Sequence, residues 1–86
     1  MDIQGFGWAL KQLRGGYKVQ REGWNGKGMW LTLVDGYRGG GHDSPGGSRE
    51  HLPWIGMKTA DNKFVPWLAS QTDMLADDWQ FFNGED

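Results

Sequence analysis

The sequence predicts an α+β domain: a small antiparallel sheet of four or five strands, an N-terminal helix packed on one face, and a short helical turn near the C-terminus. Three observations carry this expectation. Phe6, Ala9, Leu10 and Leu13 recur at helical spacing. Later apolar residues fall instead in short runs of strand length, separated by turn-forming residues. Finally, 86 residues without a cysteine make one thin-cored domain that buries only about 60–65% of its unfolded surface, so a homo-oligomer is expected to supply part of the missing burial.

Each element follows in order. The spacing predicts an amphipathic helix from about Ile3 to Arg14, closed by Gly15 or Gly16. "YKVQRE", Tyr17 to Glu22, alternates as a strand does. "GWNGKG", Gly23 to Gly28, is turn-rich and leads into the strand "MWLTLV", Met29 to Val34, so the two strands form a hairpin. "DGYRGGGHDSPGGSRE", Asp35 to Glu50, has almost no apolar content and reads as a long, mobile, glycine-rich surface loop. Strand character resumes in "PWIGMKTADNKFVPWLA", with "ADNK", Ala60 to Lys63, turning a second hairpin. In "SQTD" a serine precedes an aspartate by three positions, which is capping-box spacing and opens a helical turn through Met74, Leu75 and Ala76. "DWQFF" is the last strand. Residues 1–86 form a single domain without internal repeat.

Composition excludes several function classes. Without cysteine there is no disulfide, no thiolate nucleophile and little basis for structural zinc, which suits a reducing cytoplasm. "MWLTLV" is far short of the ~20 apolar residues that span a bilayer, and the N-terminus shows no basic segment followed by an apolar signal core. A soluble, intracellular protein without a membrane partner is expected. The net charge of −2 disfavours the phosphate-driven binding that long nucleic acids need.

Catalytic chemistry finds little support. Asp73, Asp77 and Asp78 are close in sequence, but acids grouped around a helix cap form a solvated edge far more often than an acid–base pair. His42 and His51 lack metal-ligand spacing, and Ser70 and Thr72 have no neighbouring histidine. Neither the GxSxG nucleophile turn nor the GxxxxGK[ST] phosphate loop occurs. The expectation is a protein that is not an enzyme, with no catalytic residue, metal or cofactor.

Ligand binding fits better. Six tryptophans are many for so small a core, and eight of the 15 glycines lie between Gly26 and Gly47. A nucleotide-like ligand needs aromatic faces for its bases, donors for its phosphates, and hydroxyl or amide groups for its riboses. "REGWNGKGMW" offers Trp24 and Trp30 as rings, Arg21 and Lys27 as cations, and Gly26 and Gly28 where backbone N–H groups can approach an anion. "MKTADNKFVPWLASQTD" adds Lys58, Thr59, Trp67, Ser70, Gln71, Thr72 and Asp73.

Together "FGWALKQL", "REGWNGKGMWL" and the segment Trp54 to Trp79, which contains "MKTADNKFVPWLASQTDMLADDW", resemble the phage-encoded Thoeris anti-defence proteins of the second type. The resemblance covers well over half of the chain. It implies a sponge in the cytoplasm of an infected bacterium, which binds the cyclic ADP-ribose isomers made by Toll/interleukin receptor-type enzymes and holds them uncleaved. It also implies a homotetramer with pockets between subunits, and in some members cyclic di- or trinucleotides bound at separate sites. The ligand-binding set expected on this basis is Arg21, Trp24, Asn25, Gly26, Lys27, Gly28, Met29, Lys58, Thr59, Trp67, Ser70, Gln71, Thr72 and Asp73. For such a ligand Trp24 or Trp67 would stack on the adenine, while Asn25, Ser70, Gln71, Thr72 and Asp73 would read ribose hydroxyls and base edges. Lys58, Arg21 or the N–H groups of the Gly26–Gly28 turn would meet the pyrophosphate. Two features depart from the pattern: Trp8 stands where relatives more often carry a charged residue, and Gly36 to Gly47 lies in a region that varies among them. The competing readings are a tryptophan-rich protein-interaction module without a small ligand, and a sugar-binding module.

Overall fold

The computed structural model describes residues 4–24, 28–35, 49–82 and 84. Its order is α1 (Phe6–Arg14), β1 (Val19–Arg21), a 3-10 turn (Glu22–Trp24), β2 (Trp30–Val34), β3 (Trp54–Lys58), β4 (Phe64–Pro66), α2 (Gln71–Leu75) and β5 (Trp79–Phe81). The five strands form one antiparallel sheet in the order β4-β3-β2-β1-β5. Both expected hairpins are present, and the last strand joins the sheet beside the first rather than beside β4.

Helix α1 begins three residues later than its periodicity suggests. Gln4 forms a parallel bridge with Asp78, and its carbonyl accepts the Trp79 N–H at 3.0 Å, so this residue is held as a short sheet extension and cannot wind into the first turn. The C-terminus behaves as expected: the Tyr17 N–H returns to the Gln12 carbonyl at 3.0 Å, with Gly16 at φ +92°. The strands are shorter than their apolar runs because β1 gives way to the 3-10 turn at Glu22 and β2 starts only at Trp30. Most of the expected glycine-rich loop lies outside the described residues, as does His42.

The core is one layer between helix and sheet. Ala9 and Leu13 of α1 pack on Val19, Leu31 and Trp79, all of them buried. Alternation along each strand then places Gln20, Trp30, Thr32, Trp54, Gly56, Lys58 and Phe64 on the face turned away from α1. A second aromatic group assembles there: Phe64 lies near Trp30 and Trp54, with ring centroids 6.2 and 6.1 Å apart, and Lys18 Nζ sits 4.2 Å above the Trp30 ring. Gly56 is needed under Phe64, because a Cβ at that position would clash with the edge of the phenyl ring. No described helix is long and apolar enough to cross a membrane.

Candidate functional site

Antiparallel register brings the ends of β1 and β3 together with the starts of β2, β4 and β5. Arg21, Trp24, Gly28, Met29, Lys58 and Thr59 therefore gather at one end of the sheet. Asn25, Gly26 and Lys27 belong to the same connection but lie outside the described residues.

The segment after β4 returns to this end through an aromatic cluster. Trp79, 1% exposed, is its hub. Trp24 and Trp67 meet Trp79 edge-on, with centroids 5.6 and 6.0 Å away at interplanar angles of 78° and 85°, and Phe6 closes the cluster at 5.5 Å. Such perpendicular contacts suit the ring quadrupole. Trp24 and Trp67 are each half-buried, whereas Trp79 is buried. The Trp79 Nε1–H donates to the Asp73 carbonyl at 3.0 Å, hooking α2 to β5.

Polar groups lock the same segments together. Arg21 Nε donates to Asp78 Oδ1 and Arg21 Nη1 to Asp73 Oδ1, each at 2.9 Å. The second oxygen of Asp78 accepts the Gly23 N–H at 2.9 Å. The second oxygen of Asp73 accepts the Ser70 hydroxyl at 2.9 Å and the Ser70 N–H at 3.2 Å, while the Asp73 N–H donates to Ser70 Oγ at 3.1 Å. This is the capping box that the sequence spacing predicts. Burial alone would raise the Asp78 carboxyl, but the guanidinium and the Gly23 N–H outweigh it and hold it below the usual carboxylate range. The Arg21 guanidinium is raised in turn, first by its hydrogen bond to Asp78, against the opposing effect of burial.

The remaining expected ligands occupy distinct places. Lys58 Nζ donates to the Gly28 carbonyl at 3.0 Å, and Gly28 itself has φ +74°, a conformation that favours glycine. Because Lys58 pairs with Trp30 whereas Arg21 pairs with Trp79, the two cations stand on opposite faces of the sheet end. Thr59 is engaged in the β3–β4 turn, where its Oγ1 accepts the Lys63 N–H at 2.9 Å and also bonds Asp61. Gln71 and Thr72 are exposed on the first turn of α2. Two concavities, of about 350 and 400 Å³, lie along α1 and between α1 and the β2–β3 pair, and include none of these residues. Among the described residues, no three His, Cys, Asp or Glu side chains are grouped to hold a metal ion.

Sequence reasoning missed Phe6, Asp78 and Trp79 as parts of this site. Their roles depend on contacts between residues distant in the chain, such as Arg21 with Asp78, and no local motif announces them.

A family model described as the Thoeris anti-defense 2-like domain matches residues 4–82 of the chain. The chain is also similar to Thoeris anti-defense 2 of Bacillus phage SP01, with 45% identity over 80 residues, covering 86% of this chain and 89% of the relative.

Proposed function

Because the chain belongs to the Thoeris anti-defense 2-like family, we propose that it is a phage anti-defence sponge that captures cyclic ADP-ribose-type signals in the infected cell and leaves their bonds intact. The observation that carries this reading is the grouping of two half-buried indoles, Trp24 and Trp67, around Trp79 at the sheet end that also holds the Gly28 turn. An adenine stacked on an indole contributes roughly 1–3 kcal/mol, by analogy with single-strand binding. Exposed Gln71 and Thr72 are suited to ribose hydroxyls or base edges, and Lys58, on the opposite sheet face beside Gly28, to a pyrophosphate that reaches around the sheet end.

A ring-closed ligand loses little conformational freedom on binding, which favours tight capture by a small site. Sequestration then follows mass action, with affinity and protein abundance setting how much free signal remains. The proposed sites lie between subunits of a homotetramer. One feature supports this arrangement: Leu68, before α2, and Leu75, at its end, are 90% and 78% exposed. Cyclic di- and trinucleotides are proposed as additional ligands.

Calorimetric titration with cyclic ADP-ribose isomers, followed by heating of the complex and analysis of the released ligand, tests the reading. Binding with recovery of intact ligand is expected, and Trp24→Ala and Trp67→Ala should each weaken it by about tenfold or more. A hydrolysed product would make the protein an enzyme. Lack of uptake of every such ligand, with a partner protein bound through the same tryptophans, would favour the interaction-module alternative.

A further inference from the structure

We infer that Arg21 is a positioning residue, which sets the Trp24 and Trp67 rings for the ligand by clamping the chain segments that carry them, and does not itself contact phosphate. The inference rests on the nucleotide-capture reading and assigns a different task to a cation that composition alone would give to the pyrophosphate.

The geometry is a three-way tie. Arg21 ends β1, three residues before Trp24; Asp73 is boxed to Ser70, three residues after Trp67; Asp78 immediately precedes Trp79. One guanidinium reaches both carboxylates at 2.9 Å; the other oxygen of Asp73 accepts from Ser70 of its own segment, and the other oxygen of Asp78 accepts from Gly23, in the turn that carries Trp24. The roots of all three indoles are thus joined through Arg21. A planar fork can do this, whereas an ammonium, a compact point charge, cannot reproduce the two-carboxylate geometry.

Charge points the same way. Two carboxylates face one guanidinium, so the cluster is negative by one unit, and Arg21 is already engaged on two of its nitrogens. An incoming pyrophosphate would meet net repulsion there. The side chains of Arg21, Asp73 and Asp78 are 17%, 14% and 30% exposed, which marks a partly buried strut and not an open anion receptor.

The two roles give opposite signs in binding experiments. If Arg21 positions the rings, Arg21→Met, Arg21→Lys and the near-isosteric Asp78→Asn should all lower affinity for a cyclic ADP-ribose isomer, each by about tenfold. Arg21→Met should then cost much less in a Trp24→Ala background, because the two residues act through one another. If Arg21 contacts phosphate, Arg21→Lys should retain much of the affinity, Asp78→Asn should tighten binding by freeing the cation, and the cost of Arg21→Met should be unchanged by Trp24→Ala; that pattern overturns the inference. If the unaltered protein binds no such ligand, the capture reading fails, and the clamp is judged from indole N–H resonances alone. In Asp78→Asn those of Trp24, Trp67 and Trp79 should shift while those of Trp30 and Trp54, on the other sheet face, stay in place; uniform shifts or none would overturn it.

Discussion

Trp30 and Trp79 are both nearly buried, at 6% and 1% exposure, yet of the two only Trp79 has a partner for its indole N–H among the described residues. There Trp30 Nε1 is buried with no described hydrogen-bond partner, and an orphaned donor of this kind costs about 1–3 kcal/mol. Replacing either ring by phenylalanine removes volume. Trp79→Phe also removes the bond to the Asp73 carbonyl, for a further loss of about 1 kcal/mol, whereas Trp30→Phe removes the orphan. Urea unfolding should therefore show Trp79→Phe clearly less stable than Trp30→Phe, and equal midpoints would contradict the assignment. Asp78 supplies a second test, in pH. Its folded-state carboxyl is depressed, so the unfolded chain takes up protons first as pH falls. The stabilisation is complete above the unfolded value and fades as pH drops below about 4 through the folded one. Asp78→Asn should melt below the parent protein at neutral pH and converge with it in acid. Melting curves that stayed a constant distance apart down to pH about 3 would show that the ion pair contributes nothing.

A five-residue helix such as α2 has no stability of its own and survives only through its ends and its packing. Its N-terminus is fixed by the Ser70–Asp73 box and its side by the Trp79 indole. Ser70→Ala should cost about 1 kcal/mol. Hydrogen exchange should speed up at the amides of Asp73 and Met74, which now donate to Ser70, and remain unchanged in α1. Unchanged exchange at both sites would mean that the Trp79 contact alone holds the turn. This box was legible in advance because a cap is encoded within four residues. The apolar periodicity of Phe6 to Leu13 and the alternating runs around Ala60 to Lys63 were legible for the same reason, since each records one face of one element. The first turn of α1 was misread because Gln4 answers to Asp78, a partner that periodicity cannot see. The site divides along the same line. Its aromatic and polar residue types stood out in the sequence, but the placement of Lys58 opposite Arg21 follows from strand register, and the hub role of Trp79 from packing between distant segments.

At the scale of the molecule, α1 covers one face of the sheet, and among the described residues no helix covers the other. Among the described residues, the buried core consists of Ala9, Leu13, Val19, Leu31 and Trp79, with Trp30 on the far side of the sheet. Meanwhile Trp54 and Phe64 stand 42% and 48% exposed on the face turned from α1, and Leu68, together with Met74 and Leu75 of α2, is exposed as well. Apolar surface of this extent is ordinarily covered by a partner, and a closed homo-oligomer is the commonest way for a small soluble chain to cover it. Light scattering on the purified protein should therefore give a mass above the 9.7 kDa of one chain, and near four times that value if the proposed homotetramer forms. Trp54→Glu would place a charge on the uncovered face without touching the Arg21 clamp or the Trp79 cluster. If that face is an interface, the charge should lower the assembled mass and, where sites span subunits, weaken ligand binding along with it; if dilution dissociates the assembly as well, the two losses should share one concentration dependence. Full ligand binding by a monomeric Trp54→Glu protein would separate site from assembly and confine capture to the Trp24–Trp67 end of a single chain.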